Sequence, residues 1–347
     1  MTKKKILVTG ASGVLGQNLV DYLLQKGYRD IVMFDIIPPK KQFGLKFMQA
    51  DIADIESLSS IPRDIDFVVH CASAAPSYSE KMIYRIVLEG TSNILRHSCQ
   101  SAVKRFIYIS STAVYGIPDK VPLYEDSELQ DYHDPYNRAK IKAEAICDEY
   151  RAKGLCTTIL RPRTFLGPGR MGTFTMLNEW ALEGRSFPLL GSGKNRYQFL
   201  DVEDLCQAIY LSLVADDRFA NDTYNIGAKH FGTIKDDYQS VLDAAGFGKK
   251  IIMIPQFLAL SILRILDRLK LVPLYKRLYE KIVMDYYVSI EKAEKNLGYR
   301  PKYSNSESMV RCFNWYKSNH ESYKNVSGAA NNVPWKQGVI RYVKFIF

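Results

Sequence analysis

The sequence lacks an apolar run long enough to cross a membrane, and it lacks the cysteine spacing typical of disulfides or metal sites. No window reaches the ~18 to 20 apolar residues that a membrane span requires, and the longest candidate, residues 251–263, contains Pro255. The six cysteines show no paired spacing, so we expect free, largely buried thiols in a reducing cytosol, with neither metal nor disulfide. The polar start, residues 1–5, leads directly into an apolar strand, so no signal peptide is expected. These absences favour a cytoplasmic protein.

Internal repeats, low-complexity tracts and nucleic-acid-binding motifs are also absent. The net charge of +10 over 347 residues is moderate. It is compatible with an anionic substrate, with an acidic membrane surface or with solubility alone. We therefore expect a small-molecule substrate and no nucleic-acid partner. A chain of this length can bury a large core, as one big domain or two closely joined ones.

The N-terminal segment predicts a dinucleotide-binding turn. An apolar run, residues 6–8, leads into Gly10, Gly13 and Gly16, and a helix-like segment, residues 14–26, follows at once. A strand, a tight glycine turn and a helix N-terminus form a site for a pyrophosphate, because backbone N–H groups and the helix dipole attract the anion. Glycines also mark ordinary turns, which is the alternative interpretation.

Asp35 ends the second apolar run, residues 31–35. In a strand–helix–strand unit this position lies beside the adenosine ribose of the cofactor. A carboxylate there accepts hydrogen bonds from both ribose hydroxyls and repels a 2′-phosphate, which favours NAD over NADP. The alternative is a solvated aspartate at a strand end, and Lys40 and Lys41 nearby keep NADP open.

Alternation of apolar runs with amphipathic segments predicts an α/β fold, a Rossmann-type doubly wound parallel sheet. Further strands are predicted at residues 45–50, 67–71, 105–110 and 157–161, and helices near 79–101 and 135–153, the latter with Ile141, Ala145 and Ile146 on one face. Beyond Met171 the pattern predicts helices at 174–183, 202–214 and 235–245, a strand at 223–226 and a basic amphipathic stretch at 251–283. We expect an NAD-binding domain over residues 1–170 to which later segments return, a smaller α/β substrate-binding cap over 171–326 and a basic aromatic tail over 327–347.

Tyr136 and Lys140 form the candidate catalytic pair. They lie four residues apart in a segment that Pro135 opens as a helix, so their side chains share one face. A nearby ammonium favours the phenolate and lowers the pKa of the tyrosine from its usual value near ~10, so that it can exchange a proton with a substrate hydroxyl. The Tyr-x-x-x-Lys spacing also arises by chance among 23 tyrosines.

Several motifs together resemble the extended short-chain dehydrogenase/reductase family, in the order and spacing of that family. They are Thr9–Gly16, Asp35, Asp51–Ile52, His70–Ala75, Ser110–Gly116 and the pair Tyr136 and Lys140. The resemblance implies that Ser111 and Tyr136 hold the reacting oxygen, with Tyr136 as acid/base, and that Lys140 contacts the nicotinamide ribose and tunes Tyr136. It further implies a homodimer. We assign no catalytic role to His70, which we expect in or near the core.

The same resemblance implies two sets of binding residues. The cofactor set comprises Gly10, Ser12, Gly13, Val14, Leu15, Gly16, Asp35, Asp51, Ile52, Ala72, Ser73, Ala74, Ser110, Tyr136, Lys140, Pro162 and Thr164. The substrate set comprises Ala75, Ser111, Thr112, Thr164, Arg170 and Arg196. No metal ligand is expected.

Three branches of the family differ at testable positions. Sugar-nucleotide dehydratases place an Asp-Glu pair where this chain has Thr112 and Ala113, so dehydration is not expected. Sugar-nucleotide epimerases place asparagine where this chain has Val87 and Thr164, and a diphosphate-binding arginine where it has Tyr197. Arg196 is adjacent and on a strand would face the opposite side unless a bulge re-aims it. These departures weaken the epimerase interpretation without excluding it.

The third branch, 3β-hydroxysteroid and sterol-4-carboxylate dehydrogenases, fits better. The resemblance rests on Gly193–Asn195, Leu160–Gly169 and Lys292–Pro301, the last of which is also simply a helix ended by glycine and proline. Residues 255–282 resemble the lipid-facing region of that branch, and an ordinary capping helix pair is the alternative. The tail at 333–347 combines cations with aromatics, which suits either peripheral membrane contact or docking on the protein body or a partner subunit.

The sequence therefore predicts an NAD-linked oxidoreductase acting at a secondary alcohol or ketone of a hydrophobic, sterol- or lipid-like substrate. The alternative is a sugar-nucleotide or lipid-linked-sugar 4-epimerase, which oxidises and re-reduces one carbon. A third class, an NAD-binding regulatory protein without chemistry, fits less well because such proteins usually lack the tyrosine or the lysine that this chain retains.

Overall fold

The structure is a computed structural model that describes residues 4–132, 134–172, 174–255, 257 and 283–323. Its strands are β1 (Ile6–Thr9), β2 (Ile31–Asp35), β3 (Lys46–Gln49), β4 (Phe67–His70), β5 (Arg105–Ile109), β6 (Thr157–Pro162), β7 (Phe165–Leu166), β8 (Phe187–Leu190), β9 (Leu200–Asp201), β10 (Thr223–Ile226) and β11 (Ile251–Ile254). Its α-helices are α1 (Val14–Gln25), α2 (Glu80–Tyr84), α3 (Gly90–Gln100), α4 (Pro135–Ala152), α5 (Phe174–Leu182), α6 (Val202–Val214), α7 (Asp217–Ala220), α8 (Ile234–Ala245), α9 (Glu291–Leu297) and α10 (Asn305–Asn319).

A seven-stranded parallel sheet organises the first part of the chain. The strand order is β10-β6-β5-β4-β1-β2-β3, so the order reverses between β1 and β4. Strands β1, β5 and β6 are buried along their whole length, as expected for a sheet covered on both faces by crossover helices. The predicted doubly wound fold is confirmed, and Asp35 is the last residue of β2 as predicted.

The segment predicted as one helix near residues 79–101 consists of three pieces. Ser79 caps α2 by accepting a hydrogen bond from the Met82 amide, a π-helical turn spans Arg85–Glu89, and α3 continues from Gly90. Gly90 lies directly against Ile52, since a Cβ on this glycine would come within 2.5 Å of the Ile52 Cδ1. The π-helical turn has no local sequence signature that pattern reading could have detected.

The face of α4 that carries Ile141, Ala145 and Ile146 is not its buried face. Ala145 is exposed, and Ile141 and Ile146 are only partly buried. The buried residues of this helix are Asn137, Ala139, Lys140, Ala143, Glu144 and Cys147. Hydrophobic periodicity failed here because the inward face carries polar groups whose partners lie on neighbouring strands.

The described residues divide into two compact units. The first contains residues up to Arg163 together with Val202–Gly227 and Val288–Pro301, and it holds the seven-stranded sheet. The second contains Thr164–Asp201, the described residues of 228–287 and those from Lys302 onward. The second unit has its own core around Trp180, Phe187, Phe199 and Phe313, with β8 paired to β11 and β7 paired to β9.

The C-terminal half contains one element that the sequence pattern did not predict. The stretch at 251–283, predicted to be basic and amphipathic, begins with the strand Ile251–Ile254, which is parallel to β8. Residues 256 and 258–282, and the tail at 327–347, lie outside the described residues. Where helices are described, none is both long and apolar enough to traverse a bilayer. The predicted glycine end of the helix at 291–297 is confirmed, since Gly298 has a left-handed φ of +70°.

Candidate active site

The glycine turn after β1 is held by two close backbone approaches. Gly10 has a φ of +66°, and a Cβ there would lie 2.6 Å from the Ala72 amide nitrogen in the segment after β4. A Cβ on Gly16 would lie 2.2 Å from the Gly10 carbonyl oxygen, within the turn itself. Both separations are far below van der Waals contact, so neither position accepts a side chain without moving the backbone. The Gly13 amide closes the turn by donating to the Gly10 carbonyl at 3.1 Å.

The N-terminus of α1 offers donors to an anion. The first-turn amides of Val14, Leu15 and Gly16 have no acceptor within the helix. Gly13 is the N-cap and has no side chain that could accept hydrogen bonds from them. The hydroxyl of the neighbouring Ser12 is directed elsewhere and donates to the Ile37 carbonyl at 2.6 Å. These residues therefore fit a pyrophosphate, because the helix terminus keeps its donors for an external acceptor.

Asp35 is bonded to the glycine turn. One carboxylate oxygen accepts from the Ser12 amide at 2.9 Å, and the other accepts from the Ile37 amide at 3.3 Å. Burial raises the pKa of the Asp35 carboxyl, and the hydrogen bonds from backbone amides act in the opposite direction. The two motifs that the sequence indicated separately thus form one arrangement at the carboxyl edge of the sheet.

Asp51 and Ile52, predicted beside the adenine, differ in environment. Asp51 forms a salt bridge with Arg85 at 2.7 Å and accepts from the Ala53 amide, whereas Ile52 is buried against Gly90. The Asn93 side chain donates to the Ile52 carbonyl at 3.1 Å. Arg85 of the π-helical turn and Gly90 and Asn93 of α3 therefore fix this loop.

The segment after β4 passes close to Gly10, and His70 lies beneath it. The His70 Nδ1 lies 2.6 Å from the Thr9 hydroxyl and its Nε2 lies 3.1 Å from the Thr91 hydroxyl. Burial lowers the pKa of His70 to about 3, so the ring is neutral at physiological pH. The prediction that His70 packs in the core is confirmed. Beyond it Ala74 is buried, while Ala72 and Ala75 are partly exposed and Ser73 is exposed.

Tyr136 and Lys140 lie on the first turns of α4. The Asp134 carboxylate caps the helix by accepting from the Tyr136 amide at 2.8 Å. The Lys140 Nζ donates to the Ile109 carbonyl at 2.8 Å and to the Tyr108 hydroxyl at 3.2 Å, both at the end of β5. It lies 5.9 Å from the centroid of the Tyr136 ring. The structure therefore brings the predicted pair together and ties the lysine to the strand that precedes Ser111.

The charge of Lys140 is held in a fully buried environment. Burial lowers the pKa of Lys140 to about 8, and the nearby Glu144 carboxylate is the largest influence in the opposite direction. The ammonium is therefore still mostly charged at neutral pH, yet close enough to its pKa to respond to small changes around it.

The three residues after β5 carry hydroxyl side chains with different surroundings. Ser111 is partly exposed, and its Oγ accepts from the Ala113 amide at 3.1 Å, so it caps the 3₁₀ turn Thr112–Tyr115. The buried Thr112 hydroxyl donates to the Pro162 carbonyl at 3.3 Å. Ser110 is buried and donates from its hydroxyl to Glu144.

Thr164, Arg170 and Arg196 lie in the second unit. The Thr164 carbonyl accepts from the Leu200 amide at 3.1 Å, and the Arg170 guanidinium lies 5.1 Å from the Phe165 ring. Arg196 lies outside the strands, and its guanidinium lies 4.9 Å from the Phe231 ring and 5.0 Å from the Tyr287 ring. Tyr197 packs instead against Phe199 and Tyr286, so the two neighbours do face different surroundings.

Sequence reasoning missed the buried pair of Glu144 and Arg161. The guanidinium makes hydrogen bonds to both carboxylate oxygens, the shortest at 2.7 Å, and both side chains are at most 7% exposed. One signal was available, because Glu144 continues the four-residue spacing of Tyr136 and Lys140 along one helix face.

Comparison with known proteins identifies the family. The model of the NAD dependent epimerase/dehydratase family matches residues 6–227. An uncharacterized Sinorhizobium fredii protein, y4nG, is 35% identical over 99% of this chain and 86% of its own length. A 3 beta-hydroxysteroid dehydrogenase/Delta 5-->4-isomerase of Mycobacterium tuberculosis is 27% identical over 94% of both chains. The family model and the dehydrogenase relative confirm the predicted class, an NAD-dependent oxidoreductase or epimerase.

Solved structures confirm the fold. The UDP-glucuronic acid 4-epimerase from Bacillus cereus, solved in complex with NAD, superposes with a TM-score of 0.74 at 22% identity, covering 90% of this chain and 99% of that one. At that identity the likeness establishes the architecture alone. The family model and the sequence relatives establish more: this chain is a member of the NAD dependent epimerase/dehydratase family, the extended short-chain dehydrogenases/reductases.

Proposed function

We propose that this protein is an NAD-dependent dehydrogenase that interconverts a secondary alcohol and a ketone on a hydrophobic, sterol- or lipid-like substrate. The observation that carries the proposal is the Lys140 ammonium, buried at the end of β5 and 5.9 Å from the Tyr136 ring. A permanently placed cation stabilises the phenolate, which gives Tyr136 the capacity to take and return a proton. A regulatory protein without chemistry has no need for this arrangement.

The first unit contains the residues that would hold the dinucleotide. Gly10, Gly13 and Gly16 let the backbone of the turn pack closely, and the first-turn amides of α1 would donate to the pyrophosphate. Asp35 would bind the adenosine ribose, while Ile52 and Ala74 line the adenine and nicotinamide ends. When bound, the dinucleotide supplies or takes the hydride, and the protein contributes position and electrostatic field.

The proton is handled by side chains of the chain itself. Ser111 and Tyr136 would hold the substrate oxygen between the end of β5 and the start of α4. In the direction of oxidation Tyr136 takes the hydroxyl proton as the carbon loses hydride, and in reduction it returns a proton to the carbonyl oxygen. Lys140 stabilises the charge that develops on the phenol.

The substrate class is supported by sequence. A 3 beta-hydroxysteroid dehydrogenase aligns with nearly the whole chain, and Thr164 and Tyr197 stand where sugar-nucleotide epimerases usually carry asparagine and arginine. Tyr197 is moreover packed among the aromatic rings of Phe199 and Tyr286, so an aromatic side chain occupies the position where those epimerases carry the arginine. The alternative is a sugar-nucleotide or lipid-linked-sugar 4-epimerase, and the match to the NAD dependent epimerase/dehydratase family supports it.

One assay separates the two. The purified protein is incubated with sterol-like alcohols or UDP-sugars, with and without added NAD, while nicotinamide absorbance and product are followed. A dehydrogenase produces NADH in proportion to product and needs added NAD. Product from a UDP-sugar without added NAD and without net absorbance change would overturn the dehydrogenase proposal.

Asp35 is expected to set the preference for NAD. Asp35→Asn keeps an acceptor for the Ser12 amide but removes the charge that binds the ribose hydroxyls and repels a 2′-phosphate. Since a hydrogen bond to a charged group contributes about 1.5–3 kcal/mol, we expect the affinity ratio of NAD to NADP to fall at least about tenfold. Titration of both dinucleotides measures the ratio. Asp30→Asn, one residue before β2, is the matched control, and an unchanged ratio in Asp35→Asn would contradict the assignment.

A further inference from the structure

Glu144 lies where the elements of the candidate active site meet. It is on α4 one turn beyond Lys140, and it is 3% exposed. One carboxylate oxygen accepts from the Ser110 hydroxyl at the end of β5, and both accept from Arg161 on β6. A single carboxylate thus joins the helix that carries Tyr136 to both strands beside it.

Arg161 extends this connection to the other side of Ser111. Its Nη1 donates to the Tyr115 hydroxyl and to the Glu125 carbonyl, each at 2.8 Å. The Tyr115 hydroxyl in turn donates to the Asn225 side chain at 2.7 Å. Ser111 therefore lies between two anchored residues, with Ser110 bonded directly to Glu144 and Tyr115 bonded to it through Arg161.

Glu144 is also the negative charge that Lys140 faces. Among the described groups the titratable neighbours of the ammonium are Tyr136, Glu144 and Cys147 on α4, Tyr108 on β5, His70 on β4 and Cys71 after it. Burial raises the pKa of Cys71 to about 12 and those of Cys147 and Tyr108 well above their usual values, while His70 is neutral. This leaves the Glu144 carboxylate, stabilised by Arg161, as the anion on that side.

We propose that Glu144 is a positioning residue of the active site, which fixes the strand end carrying Ser111 against the helix carrying Tyr136 and Lys140 and opposes the Lys140 ammonium with a negative charge. The positioning role in catalysis rests on the proposed function. The charge it places beside Lys140 is testable without substrate or cofactor.

The first test uses stability as a function of pH. Lys140 has a pKa of about 8 in the folded protein against 10.5 for a free lysine side chain. Between these two pKa values Lys140 is more protonated in the unfolded chain than in the folded protein. Lys140 therefore makes the free energy of unfolding rise with pH across that window. The free energy of unfolding of the wild type and of each variant is measured between about pH 6 and pH 11, with and without an added Lys140→Met substitution. The difference isolates the contribution of Lys140, because the tyrosines that also titrate in this range are common to both proteins of a pair.

Glu144→Gln is expected to move the onset of that rise to lower pH by at least about half a unit, because the buried ammonium loses its counter-charge. Glu149→Gln, exposed on the same helix, should leave the onset in place. If Glu144→Gln does not fold, the double variant Glu144→Gln/Arg161→Gln, which leaves no unpaired buried charge, undergoes the same measurement. An unchanged onset in the folded variant overturns the proposal even if the protein proves to be a dehydrogenase.

The second test addresses position. Ser110→Ala removes one hydroxyl and no charge, so we expect a lower kcat with KM and the pH onset unchanged. A kcat equal to that of Glu149→Gln would overturn the positioning role. Failure to detect turnover in the wild type would count against the proposed function alone, because the pH measurement stands independently of it.

Discussion

Tyr136→Phe is expected to lower kcat by about 10²- to 10⁴-fold, the usual contribution of a general acid–base group. The phenyl ring keeps the packing of the tyrosine against the core of the first unit, and Asp134 still caps the helix because it bonds the backbone amide of residue 136. Only the proton-transferring hydroxyl is lost. The affinity for NAD should stay nearly unchanged, since the pyrophosphate and adenosine ribose sites lie on β1, α1 and β2.

Steady-state kinetics with the substrate identified by the absorbance assay, together with NAD titration, measure both quantities. Tyr150→Phe is the matched control, because Tyr150 lies on the same helix and packs partly buried against the same core. Its kcat should match that of the wild type. Turnover that survives in Tyr136→Phe would mean that another group exchanges the proton.

The fold of the first unit was predictable because its signals are local. Continuous apolar runs mark strands buried on both faces, and the glycines and Asp35 follow those strands at the edge where ligands of such sheets bind. Gly10 and Gly16 are required by contacts that any sequence with this turn must make. Local pattern and tertiary structure therefore agree over this part of the chain.

The polar interior of α4 was not predictable from periodicity. The helix buries Lys140 and Glu144 because Ile109, Ser110 and Arg161 on the adjacent strands satisfy them, and those partners lie up to 34 residues away in sequence. A pattern based on apolar spacing selects Ile141 and Ile146 instead. The ring contacts of Arg196 were not predictable for a similar reason, since Phe231 and Tyr287 come from distant segments of the sequence.

Gly10→Ala is expected to destabilise the protein and to abolish NAD binding. Two costs add, one from the backbone conformation and one from a steric clash. The left-handed φ of +66° costs an L-residue about 1–2 kcal/mol. The Cβ would also meet the Ala72 amide nitrogen at 2.6 Å and the Cys71 carbonyl carbon at 2.8 Å. Backbone atoms cannot rotate away as a side chain can, and forced repacking costs about 1–3 kcal/mol more. We therefore expect the free energy of unfolding to fall by about 2–5 kcal/mol.

Gly44→Ala separates these two costs. Gly44 has the same φ of +66°, but no atom lies within 4 Å of the position that its Cβ would take. It should lose only the conformational term, about 1–2 kcal/mol, reduced by the lower entropy of the unfolded alanine chain. Denaturant unfolding of both variants measures the difference, and NAD titration is expected to remain normal in Gly44→Ala. Equal destabilisation of the two variants would show that the approach of the Ala72 backbone to the glycine turn is not what requires glycine at position 10.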